Sequence, residues 1–427
     1  MKIPGLITLS TFLFIALHTS FAQELPVVER CAVSFEGNVS EFETWLADKQ
    51  HFSVSHQQVY RIPVVVHVLY TGEVYGAGAH LTKEEVTRQI DILNEDFRRR
   101  PGSRGFNTHP DGGDTQIEFV LAKTAPDGTA TDGIVVRDIS ELPLPPAEAG
   151  NLVMYAAHYS YWNPEKYLNI WSVPGIPQDV LLGYARFPES DLPGLEDEYQ
   201  TSWTLPGQGE IDGVAINAAH FGDRGILSRY NLGRTATHEV GHFLGLFHTW
   251  GPNSHETDGC QLDDFCQDTL TIRDRTSGCP TGLTSCDGRP VMIENYMDYS
   301  DDACMNIFTN DQISRMRTVL EHSPRRKSLL SSPVLDNPLQ FPTDLAGLIN
   351  IYPNPTADRF YIAFAAHKLE NVQITLTDLT GQTLFSRSFE QLFEESIEVA
   401  LPKTAGSMIL LKVQTGNLSY RQKLLIR

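Results

Sequence analysis

What this sequence has little of narrows it first. Basic charge is short: 33 Lys and Arg stand against 53 Asp and Glu, a formal charge of -20. That balance favours solubility and disfavours polyanionic partners, so nucleic acid is not an expected ligand. Beyond the amino end no apolar run approaches the roughly 20 residues a membrane-spanning helix needs, and no membrane span is expected. Cysteine is scarce and uneven: of 6, only Cys31 lies outside the cluster Cys260, Cys266, Cys279, Cys286 and Cys304. None of the spacings is the Cys-x-x-Cys of a zinc ribbon, so structural bridges in a loop-rich segment are the better expectation.

What is present reads as an exported protein of several parts. At 427 residues, and about 150 residues per domain, two or three domains are expected. Lys2, the apolar run from Leu6 to Leu17 and the small residues Ser20 and Ala22 make residues 1–22 a signal peptide. Export licenses disulfides. Residues 23–56 are polar and weakly periodic and read as a pro-peptide. Residues 57–322 read as an α+β catalytic domain. In it the valine-rich stretch 62–70 predicts a strand, with His67 packed inside it. Thr82 and Glu85 form a capping box opening a helix with Val86, Ile90, Leu93 and Phe97 on one face. Arg98, Arg99 and Arg100 then complement its dipole in solvent. Further strands are predicted at 168–173, 183–187 and 213–216, and a second capping box, Thr309 with Gln312, opens a closing helix. Residues 323–345 read as a linker. Residues 346–427 alternate in short runs, as in a small β-sandwich without a catalytic constellation.

The chemistry concentrates between residues 238 and 248. On a helix His238 and His242 share a face and present two imidazoles to one metal, with Glu239 beside them. Gly245 permits a left-handed turn that returns His248 as a third ligand, leaving the fourth zinc position for water. Zinc activates such a water and polarises a peptide carbonyl, and Glu239 shuttles the proton as general base. Downstream, residues 295–299 form a methionine-containing turn, with Met297 as an apolar floor and Tyr299 as donor to the developing oxyanion. Asp298 either orients ligands or makes a local turn contact.

With those residues in view, 57–322 resembles the pappalysin family of metzincin zinc metalloproteases, in its ulilysin-like and mirolysin-like branch. Gly233-Arg234-Thr235-Ala236-Thr237 before the zinc motif and Asn295-Tyr296-Met297-Asp298-Tyr299-Ser300 after it carry the likeness. The resemblance implies a two-part catalytic domain of twisted mixed sheet and helices, acting on protein or peptide substrates. It implies bridges Cys260 to Cys286 and Cys279 to Cys304, where spacing alone allows three pairings among four cysteines. It implies a calcium loop with Asp264 and Thr269 as side-chain ligands and carbonyls from Asp263 and Cys266. The alternative is a solvated acidic turn, and Leu270 departs from the family's proline. Asp302 matches the residue that selects Arg or Lys after the cut bond, with Asp301 as its rival. Cys31 matches the pro-peptide cysteine that fills the open zinc position and keeps a zymogen latent, although Ala32 replaces the usual glycine. A third bridge, Cys31 to Cys266, is the other possibility.

The carboxyl-terminal module resembles the sorting domain of type IX secretion cargo, through Ile351-Tyr352-Pro353-Asn354-Pro355 and Lys423-Leu424-Leu425-Ile426-Arg427. The secretion machinery is thereby implied as a partner, with a secreted or cell-surface location. Two other classes compete with the protease. One is an adhesin that keeps the fold without activity, against which Glu239 stands. The other is a carbohydrate-binding role for the terminal module through Tyr352, Phe360 and Tyr361.

Overall fold

A computed structural model describes residues 29–31, 39–50, 58–143, 152–175, 181–190, 204–205, 209–224, 228–252, 259–335, 345, 349–364, 369–392, 396–402, 407–415 and 418–426. The expected signal peptide lies outside them. In chain order the first part holds β1 (Glu29–Cys31), α1 (Val39–Gln50), β2 (Tyr60–Tyr70), α2 (Lys83–Phe97), β3 (Ile117–Leu121), β4 (Ile134–Asp138), α3 (Leu152–Tyr159), β5 (Leu168–Val173) and β6 (Leu181–Ala185). A short hairpin, β7 (Thr204–Leu205) with β8 (Gly209–Glu210), leads to β9 (Val214–Asn217) and α4 (Arg234–Phe243). After a long irregular stretch come α5 (Asn310–His322) and α6 (Pro324–Leu330).

The valine run of β2 is buried at nearly every position because the strand lies at the centre of a seven-stranded sheet ordered β1-β6-β9-β5-β2-β3, with β4 also on β2. Its neighbours β3, β4 and β5 run parallel to it, the arrangement that covers both faces and removes the usual apolar–polar alternation. Val64, Val66 and Val68 face the core shared with α2 and α4, while Leu69 joins the core around α3. Only β6 runs against its neighbour β9. His67 is a packed histidine: its Nδ1 lies 2.8 Å from Ser160 Oγ and its Nε2 2.9 Å from Asn169 Oδ1.

Both capping boxes form, at Thr82 and Thr309. Two expectations are corrected. Arg98 and Arg99 do not simply face solvent at the end of α2. Arg98 pairs with Asp114 and Glu118, and Arg99 donates to the carbonyls of Asn107, His109 and Gly112, so they hold the following loop in place. Nor does a linker begin at 323. Pro324 opens α6 at a position where its missing N–H is harmless, and Leu329 enters the main core. Arg326 is fully buried, donating to Asp212 and to the carbonyls of Phe243 and Arg186. The buried face of α6 rests on an arginine, which no apolar period reveals. Val334 is buried as well, so residues 324–335 are part of the catalytic body.

The terminal module has two sheets, β10 (Ile349–Tyr352), β11 (Arg359–Phe364) and β14 (Ser396–Ala400) in one, and β12 (Leu369–Thr377), β13 (Thr383–Leu392), β15 (Met408–Thr415) and β16 (Leu418–Leu425) in the other. Their inward residues form one apolar core. Phe360 belongs to that core, whereas Tyr352 is exposed and stacks on Tyr361, ring centroids 5.7 Å apart. No helix among the described residues is long and apolar enough to cross a membrane.

Candidate active site

α4 carries His238 and His242 one turn apart, their Nε2 atoms 3.1 Å from each other. The helix ends at Phe243, and Gly245 takes a φ of 90°, open to glycine at little steric penalty. The chain thereby turns back, and His248 Nε2 comes within 3.3 Å of His238 Nε2 and 3.1 Å of His242 Nε2. Backbone carbonyls set the tautomers: Tyr296 O lies 2.7 Å from His238 Nδ1 and Leu246 O 2.7 Å from His242 Nδ1. A carbonyl only accepts, so both protons sit on Nδ1 and both Nε2 lone pairs face inward. Burial pushes His242 down to about 4 and His238 well below its usual range, which keeps both imidazoles neutral. Bare nitrogens converging in a sealed pocket fit a soft divalent cation such as zinc.

The floor is the turn at 295–299. Met297 N–H donates to Asn295 Oδ1 at 2.9 Å, and the Met297 sulfur lies so close beneath α4 that a Cβ at Gly241 would sit 2.5 Å from it. Asp298 makes the local contact, accepting from Thr276 N and Tyr299 N.

Into the histidine cluster reaches Cys31. Its sulfur and the three imidazole nitrogens all lie within 4.8 Å of one another. β1, which holds it, adds to the sheet edge parallel to β6, with Cys31 opposite Gly183. Cys31 Sγ is 3.4 Å from Glu239 Oε2, and the Tyr299 hydroxyl donates to the Cys31 carbonyl at 2.7 Å. Glu239 is completely buried, its Oε1 has no hydrogen-bond partner among the described residues, and desolvation pushes its carboxyl up to about 8. Cys266 is a separate buried free thiol, so Cys31 and Cys266 are not bridged.

Asp302 is equally buried. Its Oδ1 accepts from Arg30 at 2.9 Å, and its Oδ2 accepts from the backbone N–H groups of Leu232 and Arg234. Arg30 also donates to Ser300 O at 2.6 Å and lies over the Tyr230 ring. Asp301 instead pairs with Arg229 at the surface. Arg30 was not singled out by sequence reasoning, although it stands next to Cys31. Also missed was Asp96 on α2, which accepts from Thr237 Oγ1 at 2.7 Å and Arg234 at 3.1 Å and so anchors the start of α4. Gly183 was missed too: a Cβ there would lie 2.6 Å from Glu239 Cγ.

Farther along, Cys260 pairs with Cys286 and Cys279 with Cys304, as the resemblance implies. Within the segment closed by Cys260 and Cys286, Asp264 Oδ1 accepts from Cys266 N at 3.1 Å and from Thr269 Oγ1 at 2.7 Å, while Oδ2 is buried without a partner among the described residues. Burial pushes Asp264 up to about 7. An orphaned carboxylate oxygen beside a hydroxyl and loop carbonyls suits a hard cation.

Comparison with known proteins follows the same lines. The family described as pregnancy-associated plasma protein-A matches residues 155–321, and the secretion system C-terminal sorting domain matches residues 350–427. An extracellular metalloprotease of Verticillium alfalfae is 35% identical over 265 residues, covering 60% of this chain and 76% of the relative. One from Pyricularia oryzae is 33% identical over 268 residues, with coverage of 62% and 76%. Tannerella forsythia promirolysin superposes with a TM-score of 0.56 at 33% identity, covering 70% of this chain and 94% of that one. Mature mirolysin in complex with a cleaved peptide gives 0.53 at 34% identity, covering 66% and 100%.

Fold, relatives and sorting module together define a secreted zinc metalloendopeptidase with a mixed α and β catalytic fold. Within that class the chain belongs to the pappalysin family of metzincins, and it is exported as type IX secretion cargo.

Proposed function

We propose that the enzyme is made latent and, once released, hydrolyses polypeptides on the amino side of Arg or Lys. The observation that carries this is the position of two consecutive pro-segment residues: Cys31 beside the three histidines and Arg30 on Asp302. Residues 1–22 act as the signal, and the remainder up to about 56 as the pro-segment.

His238, His242 and His248, whose Nε2 atoms converge, would hold zinc. Bound there, zinc supplies Lewis acidity toward a peptide carbonyl and an acidified water. Glu239 is the general base: its buried carboxylate, beside the histidine cluster, takes the proton of the attacking water and returns it to the leaving amine. Tyr299 already donates to one peptide carbonyl, that of Cys31, and in the working enzyme it donates to the oxyanion of the substrate. Met297 supports the imidazoles from below. Asp302 receives the basic side chain, its carboxylate held in orientation by the N–H groups at the start of α4.

Calcium would be held by Asp264, Thr269 and the carbonyls of Asp263 and Cys266, which supply oxygen donors. Candidate sites for self-activation are Lys49, in the last turn of α1, and Arg61, in strand β2.

The test is a peptide library incubated with the chain before and after removal of the pro-segment, with and without a zinc chelator. Chelator-sensitive cuts before Arg and Lys, appearing only after removal, are expected. Absence of chelator-sensitive cleavage in the freed enzyme would overturn the catalytic assignment.

A further inference from the structure

The pro-segment touches the body at a second place, well apart in sequence from Arg30 and Cys31. On α1, Phe42, Trp45 and Leu46 recur at helical spacing and are buried. They pack against α5 and the rings beside it: Phe42 meets Phe187 edge-on at 5.5 Å, and Phe187 stacks on Phe247 of the zinc motif at 5.0 Å. Within this apolar contact sits one charge pair. Both carboxylate oxygens of Glu43 accept from Arg315, one at 2.6 Å, and Arg315 is 2% exposed. The same guanidinium donates to Gly245 O at 2.6 Å and lies 4.9 Å over the Phe247 ring. On the far side of α1, Glu41 and Asp48 face solvent.

We propose that this face of the body, Arg315 framed by Phe187 and Phe247, is a docking site for an acidic amphipathic helix, and that its occupant is α1 both before and after the chain is cut. It builds on the latency reading above. A bidentate carboxylate–guanidinium pair inside an apolar contact is specific in geometry and charge, and the apolar residues around it exclude competing water. None of these contacts involves a zinc ligand. A cut between α1 and β2 therefore leaves the pro-segment tethered at two places, the zinc cluster and the α5 face. It persists as a bound inhibitor, and activity appears when it dissociates rather than when the bond is cut.

The experiment uses the full chain with a recognition sequence for an unrelated, sequence-specific protease placed within residues 51–57. After the cut, gel filtration reads whether the pro-segment travels with the body, and a fluorogenic peptide reads activity. The expected result is co-elution at micromolar concentration, with activity rising on dilution. Glu43→Gln leaves Arg315 charged and facing a neutral amide, and should weaken retention by at least about tenfold, the effect of truncating a buried charge pair. Phe42→Ala should act in the same direction, and both changes lie on the departing segment, so the mature body is untouched. Immediate separation of the cut wild-type segment would overturn the docking site, as would equal retention of the Glu43→Gln segment. If the uncut chain is already fully active, the latency reading fails instead, and co-elution still judges the docking site on its own.

Discussion

Arg30 and Asp302 stand 272 positions apart in sequence, yet the guanidinium meets the carboxylate at 2.9 Å with neither side chain exposed to solvent. The residue beside Arg30 is Cys31, whose sulfur lies among the zinc-motif histidines. One short strand thus occupies the metal position and the acidic pocket at once.

Removing the pocket's charge separates recognition from catalysis. Asp302→Asn keeps an oxygen for the N–H groups of Leu232 and Arg234. Loss of a buried ion pair is worth about 2 to 5 kcal/mol, or roughly 30-fold and more. The expected outcome is a fall of that order in kcat/KM for peptides with Arg after the cut bond, with little change for neutral counterparts. An equal fall for both would assign Asp302 a purely structural role.

Latency is tested on the uncut chain. Cys31→Ala should make the full-length protein active without processing, because the three histidines remain while the sulfur is gone. Arg30→Ala should release activity partially. Gel electrophoresis alongside the peptide assay distinguishes true release from trace cleavage, and a silent Cys31→Ala chain with bound zinc would retire the switch.

Glu239 and Tyr299 should split in their effects. Glu239→Gln removes the base and should lower kcat by about 10² to 10⁴. Tyr299→Phe removes one oxyanion donor and should lower kcat by up to about 100-fold, with KM nearly unchanged. Elemental analysis should find the same zinc content in both as in the parent. Loss of zinc would mean that the residue serves the metal site rather than the reaction.

The proposed calcium loop predicts a stability effect distinct from zinc. With zinc retained, calcium at about 100 times its dissociation constant should stabilise the fold by about 2.7 kcal/mol, or roughly 5 °C or more in Tm for a body of this size. Asp264→Ala should abolish that calcium-dependent shift. Differential scanning calorimetry with and without added calcium reads it, and an unchanged shift in the variant would place the cation elsewhere.

Asp212 tests the extension of the body past residue 322. It is buried and receives both Arg325 and Arg326 from α6. Asp212→Asn takes the carboxylate from buried Arg326, while Arg325 keeps Glu189 and Glu210, and should destabilise by about 3 to 5 kcal/mol in chemical denaturation. Stability equal to the parent's would mean that α6 is only loosely attached.

The sequence by itself determined whatever depends on local spacing. Histidines four apart on one helix, a glycine able to reverse the chain, two capping boxes and a methionine turn each act within a few residues. Their geometry follows from backbone periodicity, which is why the metal motif and its helix were legible. The pairing of Cys260, Cys279, Cys286 and Cys304 came only from family likeness, since spacing admits several closures.

Only the tertiary structure decided contacts between distant segments. Nothing local distinguishes Asp302 from Asp301, but the first is sealed against α4 and the second pairs at the surface with Arg229. Nothing local marks Arg30, Glu43, Arg315 or Arg326 either, because a charged side chain looks solvent-bound until its partner is known. Burial of such a charge becomes tolerable only once a complementary group arrives from elsewhere in the chain. The pairs Arg30 with Asp302 and Glu43 with Arg315 belong to that class, and the fold alone brings them together.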